Sequence, residues 1–126
     1  MAGTLTASSS GLSRGITRYS FVWVSDASGD VSGTDVTLKS GTLLQMTTIP
    51  AAAGAAPTDN YDLVINDAQG VDILGGAGAN RDTANAEVVV PAVSTYFRRY
   101  VEAGTFTPVV SNAGNAKGGT IVLLIQ

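Results

Sequence analysis

The sequence predicts an all-β fold: one antiparallel β-sandwich, jelly-roll or immunoglobulin-like, or a small barrel, carrying a flexible N-terminal arm. Three observations predict it. Apolar residues recur with a period of two or in short runs bounded by turn formers. Glycine, asparagine, aspartate and proline punctuate the chain at short intervals. No stretch shows the 3.6-residue apolar period over a length at which a helix sustains itself. At 126 residues the chain has the size of one domain. It divides into an arm, residues 1–13, and a sandwich domain, residues 14–126.

The arm, MAGTLTASSSGLS, is uncharged and holds only Leu5 and Leu12 as sizeable hydrophobes. It is expected to order against a neighbour by strand addition. It lacks the basic and apolar regions of a signal peptide. Residues 16–25, ITRYSFVWVS, alternate cleanly. Tyr19, Phe21 and Trp23 fall on one face, expected to be the core face, and Arg18, Ser20, Val22 and Val24 on the other. Residues 26–30, DASGD, form a turn. A short strand over 36–39 and a longer one over 43–49 follow, the latter ended by Pro50. The alanine-rich segment 51–58 is too short for an independent helix and reads as a loop.

Residues 61–66 and 71–74 flank DAQG and give the clearest hairpin signal. Residues 75–85, GGAGANRDTAN, form a long loop of the kind that serves function or contact. Residues 87–93 are strand-like, with Pro91 indicating an edge or a bend. Residues 96–102 fit a strand or a helical turn equally. Strands over 105–111 and 120–125 close the chain. The last, TIVLLI, is continuously apolar and is expected to be covered on both faces, with residues 121–125 in the core.

Composition excludes much chemistry. With no histidine and no cysteine, the chain has no Ser-His or Cys-His nucleophile pair and no His- or Cys-ligated zinc site. The net charge of −3 and the isolated Lys39 and Lys117 supply no basic stripe for a nucleic acid. Arg98 and Arg99 form the one basic pair, set among Tyr96, Phe97 and Tyr100. The uncharged stretch 40–58 contains two prolines and two glycines and does not read as a membrane span.

Asp59, Asp62, Asp67 and Asp72 crowd the predicted hairpin. They lack EF-hand spacing, and turn-forming acids explain them better than a calcium site. Asp82 and Glu87 are weighed as a glycosidase pair and set aside for want of a cleft. GGAGAN matches neither the Walker nor the dinucleotide pattern. No enzyme activity, cofactor or metal is expected. Arg81, with its five donors, is a candidate for contact with a carboxylate of another subunit.

Three segments carry a resemblance: RYSFVWVSDASGD, NYDLVINDAQGVDILGGAGANRDTANAEVVVP and SNAGNAKGGTIVLLIQ. Through YDxxxxDxxGxD, GANRDTAN and SNAGNxKxG, the chain resembles small virion proteins encoded among head and tail genes of tailed bacteriophages. The resemblance covers about two thirds of the chain. It implies a non-enzymatic structural protein of the virion, assembled in the host cytoplasm, and raises the weight of Asn80 and Arg81 as folding or assembly residues. The leading expectation is a capsid decoration (cement) protein on the outer surface of the major capsid lattice. A tail or head-tail connector component is the alternative, and a carbohydrate- or receptor-binding β-module a third. Expected partners are the major capsid protein or other virion proteins and further copies of the chain, with a trimer suiting threefold positions, and neither nucleic acid nor membrane. Leu5, Leu12, Asn80, Arg81, Arg98 and Arg99 are the candidate interface residues.

Overall fold

The computed structural model describes residues 3–93, 96–97 and 99–126. Its ordered elements are strands and one 3₁₀ turn, Ser13–Gly15, and among the described residues no helix is long and apolar enough to cross a membrane. The strands are β1 (Thr4–Gly11), β2 (Thr17–Val24), β3 (Val36–Leu38), β4 (Gly41–Pro50), β5 (Asp62–Asn66), β6 (Glu87–Val89), β7 (Ala92–Val93), β8 (Tyr96–Phe97), β9 (Arg99–Val101), β10 (Gly104–Ser111) and β11 (Gly118–Ile125). A six-stranded sheet runs β1-β2-β11-β4-β6, with β9 also on β4; a second sheet runs β3-β10-β5, and β7 pairs with β8. All pairings are antiparallel. This is the predicted all-β class, and the sheets do not close into a barrel.

The core lies between the two larger sheets. Tyr19, Phe21 and Trp23 of β2 are buried, as the alternation predicts, while Arg18, Val22 and Val24 face out. They meet Ile121, Leu123 and Ile125 of β11 and Leu43 and Met46 of β4. Val36, Leu38, Leu63, Ile65, Phe106 and Val110 of the three-stranded sheet close the other side. Trp23 packs on Tyr61 with ring centroids 5.6 Å apart and planes tilted by 47°. Gly119 is required beneath it, because a Cβ there would lie 3.1 Å from the indole ring.

Two expectations are corrected. Residues 4–11 are not a free arm: all eight pair with β2, from Thr4 opposite Val24 to Gly11 opposite Thr17. The sequence hid this strand because only Leu5 marks its buried face. The hairpin signal at 61–74 is realised only around its turn: the chain reverses over DAQG and Asn66 bridges Asp72 antiparallel, but residues 71–74 form no second strand, and β5 takes β10 as its partner. Asp72 is the cause. Its Oδ1 accepts the Ile65 and Leu74 N–H groups and its Oδ2 accepts that of Gly76, which winds the chain into successive turns. The apolar run of β11 is, as expected, buried or half-buried on both faces, with Val122 of the outer face only 6% exposed and Leu124 intermediate. Ile121, Leu123 and Ile125 enter the core, whereas Val122 and Leu124 lie on the opposite face with Ser20, Thr47 and Gln45 as cross-strand neighbours.

Candidate functional site

The outer face of the six-stranded sheet follows row by row from the register. One row reads Thr6, Val22, Thr120, Ile49; the next reads Ser8, Ser20, Val122, Thr47, Val88; the third reads Ser10, Arg18, Leu124, Gln45. Above the first row lie Thr4, Val24 and Gly118. Val22, Val24, Ile49 and Val88 are 53%, 45%, 40% and 64% exposed. Arg18 is the one charged residue in these rows. A depression of ≈ 240 Å³ opens where Gly118 presents no side chain, lined by Val22, Val24, Ile49, Ala51, Ala55 and Ala116 among others. At strand spacings of about 4.8 Å and same-face residue spacings of about 7 Å, the rows cover on the order of 600 Å².

The residues that carry the sequence resemblance gather elsewhere, in one loop cluster. Residues 78–81 run beside 60–63. The Arg81 N–H donates to Tyr61 O at 2.7 Å, the Asn60 N–H to Arg81 O at 3.0 Å, and the Leu63 N–H to Gly78 O at 2.9 Å. Asp62 joins both motif loops to β5: Oδ1 accepts the Asn80 N–H at 2.9 Å and Oδ2 accepts from Asn112 Nδ2 at 2.9 Å. Asn80 adopts φ 57° and Asn112 φ 59°, a left-handed conformation that asparagine tolerates better than most residues. The Asp82 carboxylate accepts the Ala84 and Asn85 N–H groups and the Asn85 side-chain amide, which hold it below its ordinary pKa.

Arg81 is engaged within its own loop. Its Nε and one terminal nitrogen donate to Ala79 O, and the other terminal nitrogen stands 3.7 Å from Glu87 Oε1. Glu87 Oε1 also accepts the Asp82 N–H at 2.8 Å. The carboxylates of the acidic segment are likewise spent on N–H groups: Asp67 Oδ1 accepts Gln69 and Val71, and Asp59 Oδ1 accepts Thr83. Among the described residues no three acids converge as a metal site.

The remaining candidate interface residues scatter. Leu5 is buried in the protein's own core, which corrects the expectation that a neighbour buries it. Leu12 is exposed at the β1–β2 turn. Arg98 lies outside the described residues. Arg99, half-buried on β9, lines a cleft of ≈ 490 Å³ with Asp67, Gln69, Tyr100, Glu102 and Phe106. Tyr100 is 65% exposed there. The sequence reading missed the outer face as a surface, whose exposed aliphatic residues are Val22, Val24, Ile49 and Val88 around a buried Val122.

No protein-family model and no curated protein matches the chain. Among solved structures it is similar to a carbohydrate-binding module from Cellvibrio mixtus lichenase 5A, solved in complex with cellotriose. The TM-score is 0.35 and the identity 13%, over 97% of this chain and 86% of the module. At that degree of overlap the likeness assigns this chain no ligand.

Proposed function

We propose that this protein is a non-catalytic structural subunit that docks onto another protein through the outer face of its six-stranded sheet. The particle is of the tailed-phage class that its sequence resembles, with the outside of the capsid lattice as its leading place and the tail or connector as the alternative. One observation carries the docking: Val22, Val24, Ile49 and Val88 are exposed together on the outer face of the six-stranded sheet. Exposed aliphatic side chains gain free energy when a partner removes them from water, at about 25 cal/mol per Å² of apolar area. Consistent with a structural role, the polar residues of the motif loops serve as turn and cross-loop hydrogen-bond partners.

The test is retention on purified particles. Val22→Glu and Val88→Glu each place a charge on the face, at positions exposed enough to spare the fold. Both variants should keep the parent melting temperature and wash off particles that retain the parent protein. A gel of particles normalised to the major capsid protein should show hundreds of copies for a capsid place and tens or fewer for a tail ring. Full retention of both variants overturns the assignment of the face.

A second reading, carbohydrate binding, is favoured by the cleft of Arg99, Tyr100, Glu102, Asp67 and Gln69, where an exposed ring stands beside polar groups. Calorimetric titration with cello-oligosaccharides should then give saturable heat that Tyr100→Ala abolishes. A flat titration overturns it for these sugars.

A further inference from the structure

Strand β1 ends the six-stranded sheet, with β2 on one side and no strand of this chain among the described residues on the other. Its eight residues follow β2 in unbroken register. Hydrogen-bond parity shows which backbone groups are spent. The Leu12 N–H donates to Ile16 O at 2.7 Å, one step beyond the Gly11–Thr17 pair, and the Ser25 N–H donates to Lys117 O, one step beyond Val24–Gly118. In an antiparallel ladder alternate residues turn N–H and C=O to the same neighbour. The odd residues of β2 therefore bond β11, and its even residues bond Thr4, Thr6, Ser8 and Ser10 of β1. The N–H and C=O groups of Leu5, Ala7 and Ser9 are left pointing out of the sheet. Protected edges carry lysine, proline, a bulge or a covering segment. The stretch TLTASSSG carries no charge and no proline, and its register shows no shift.

We infer that β1 pairs antiparallel with β1 of a second copy about a twofold axis through Ala7, merging two six-stranded sheets into one. This goes beyond docking to a particle, and places two outer faces side by side in one assembly. A second copy is the occupant that fits. Any antiparallel strand can meet itself about a twofold axis, and the pairing is isologous and closed. An uncharged strand meets its copy without like-charge repulsion. In this register Ala7 meets Ala7, Leu5 meets Ser9, and on the outer face Thr6 meets Ser8 and Thr4 meets Ser10, hydroxyl opposite hydroxyl, a favourable cross-strand pair. Small hydroxyl and methyl side chains clear the approach for another backbone.

Sedimentation equilibrium of the full chain over micromolar to millimolar concentrations should show a reversible shift from 12.8 kDa to twice that mass. Hydrogen exchange should respond by parity: the Ala7 and Ser9 amides gain protection at high concentration, while the Ser8 amide is protected throughout. Ala7→Pro removes an outward N–H, which an edge strand tolerates, and should leave a monomer with the parent fold. Should that variant misfold, Ala7→Lys provides the second test, setting two like charges on the axis so that the dimer weakens at low salt and recovers as salt screens them. A chain that stays monomeric throughout, or a dimer whose Ala7 and Ser9 amides exchange at the monomer's rate, overturns the inference.

Discussion

Replacing Trp23 tests whether the sandwich core is organised as described. The indole is 1% exposed, packed between Tyr61 and the bare backbone of Gly119. A tryptophan buries about 200 Å², worth about 5 kcal/mol at 25 cal/mol per Å². Against this stands the indole Nε1, buried without a protein hydrogen-bond partner. An unsatisfied buried donor costs about 1–3 kcal/mol, which the substitution returns. The expected net loss for Trp23→Ala is therefore about 2–4 kcal/mol, overlapping the range of about 3–5 kcal/mol for removing a large buried aromatic. Trp23→Phe keeps most of the ring and discards the orphaned donor, so it should cost about 1 kcal/mol or less.

The assay is urea unfolding followed by far-ultraviolet circular dichroism, because the substitution removes the only tryptophan and with it the fluorescence signal. For a domain of this size, about 2–4 kcal/mol corresponds to a fall in melting temperature on the order of 5–20 °C. A loss below about 1 kcal/mol for the alanine variant would mean that the faces of β2 are reversed. A phenylalanine variant as unstable as the alanine variant would refute the accounting for the indole N–H.

Two further perturbations follow from the same geometry. Burial raises the pKa of Tyr61 above its usual value of 10.0, so the folded state favours the neutral phenol. Its contribution to stability is complete below the unfolded value and is lost as pH rises through the folded one. Alkaline unfolding should coincide with phenolate absorbance, and Tyr61→Phe should shift the midpoint to higher pH; an unmoved midpoint would refute the link. Deleting residues 2–13 strips β1 from the sheet, uncovers the β2 edge and removes the buried Leu5, worth about 1.5–3 kcal/mol. Thermal unfolding of the truncated chain should show a clear loss of stability, and an unchanged melting temperature would return residues 4–11 to the status of a passive arm.

What the sequence made legible was set by side-chain alternation. In β2, large aromatics alternate with polar and β-branched residues, so both the strand and its core face could be read directly. β1 could not be read so, because its threonine, serine and alanine residues show no contrast between faces. It exists because β2 offers it a ladder, a tertiary cause that local propensity does not record. The second arm of the expected hairpin shrinks to a turn and one antiparallel bridge for the opposite reason. Its apolar pattern is present, but the Asp72 carboxylate competes for backbone N–H groups and wins. The candidate site was the least legible part. Arg81 and Asn80 read as contact residues, and within the chain they also bond Ala79, Tyr61 and Asp62.

Those internal bonds also bear on how the molecule meets a partner. Asp62, Asp72 and Asp82 spend their lone pairs on backbone and asparagine N–H groups in the loops, and Arg81 is tied to its own loop. Loop charge so consumed offers little for recognition by charge pairing. The outer sheet face, by contrast, carries aliphatic side chains interleaved with serine and threonine and a single arginine. The hydroxyls keep the face hydrated while it is free, and the strands beneath hold it rigid, so docking orders little that is not already ordered. Affinity on such a face depends on how well the partner's shape matches it and on how many copies engage at once. Two copies joined along β1 would present two faces fixed in one sheet, and the second would then bind at the effective concentration set by the first. On the proposed docking, an uncharged edge and a face with one charge on a single sheet favour multivalent attachment to a repeating lattice over tight binding to a single site.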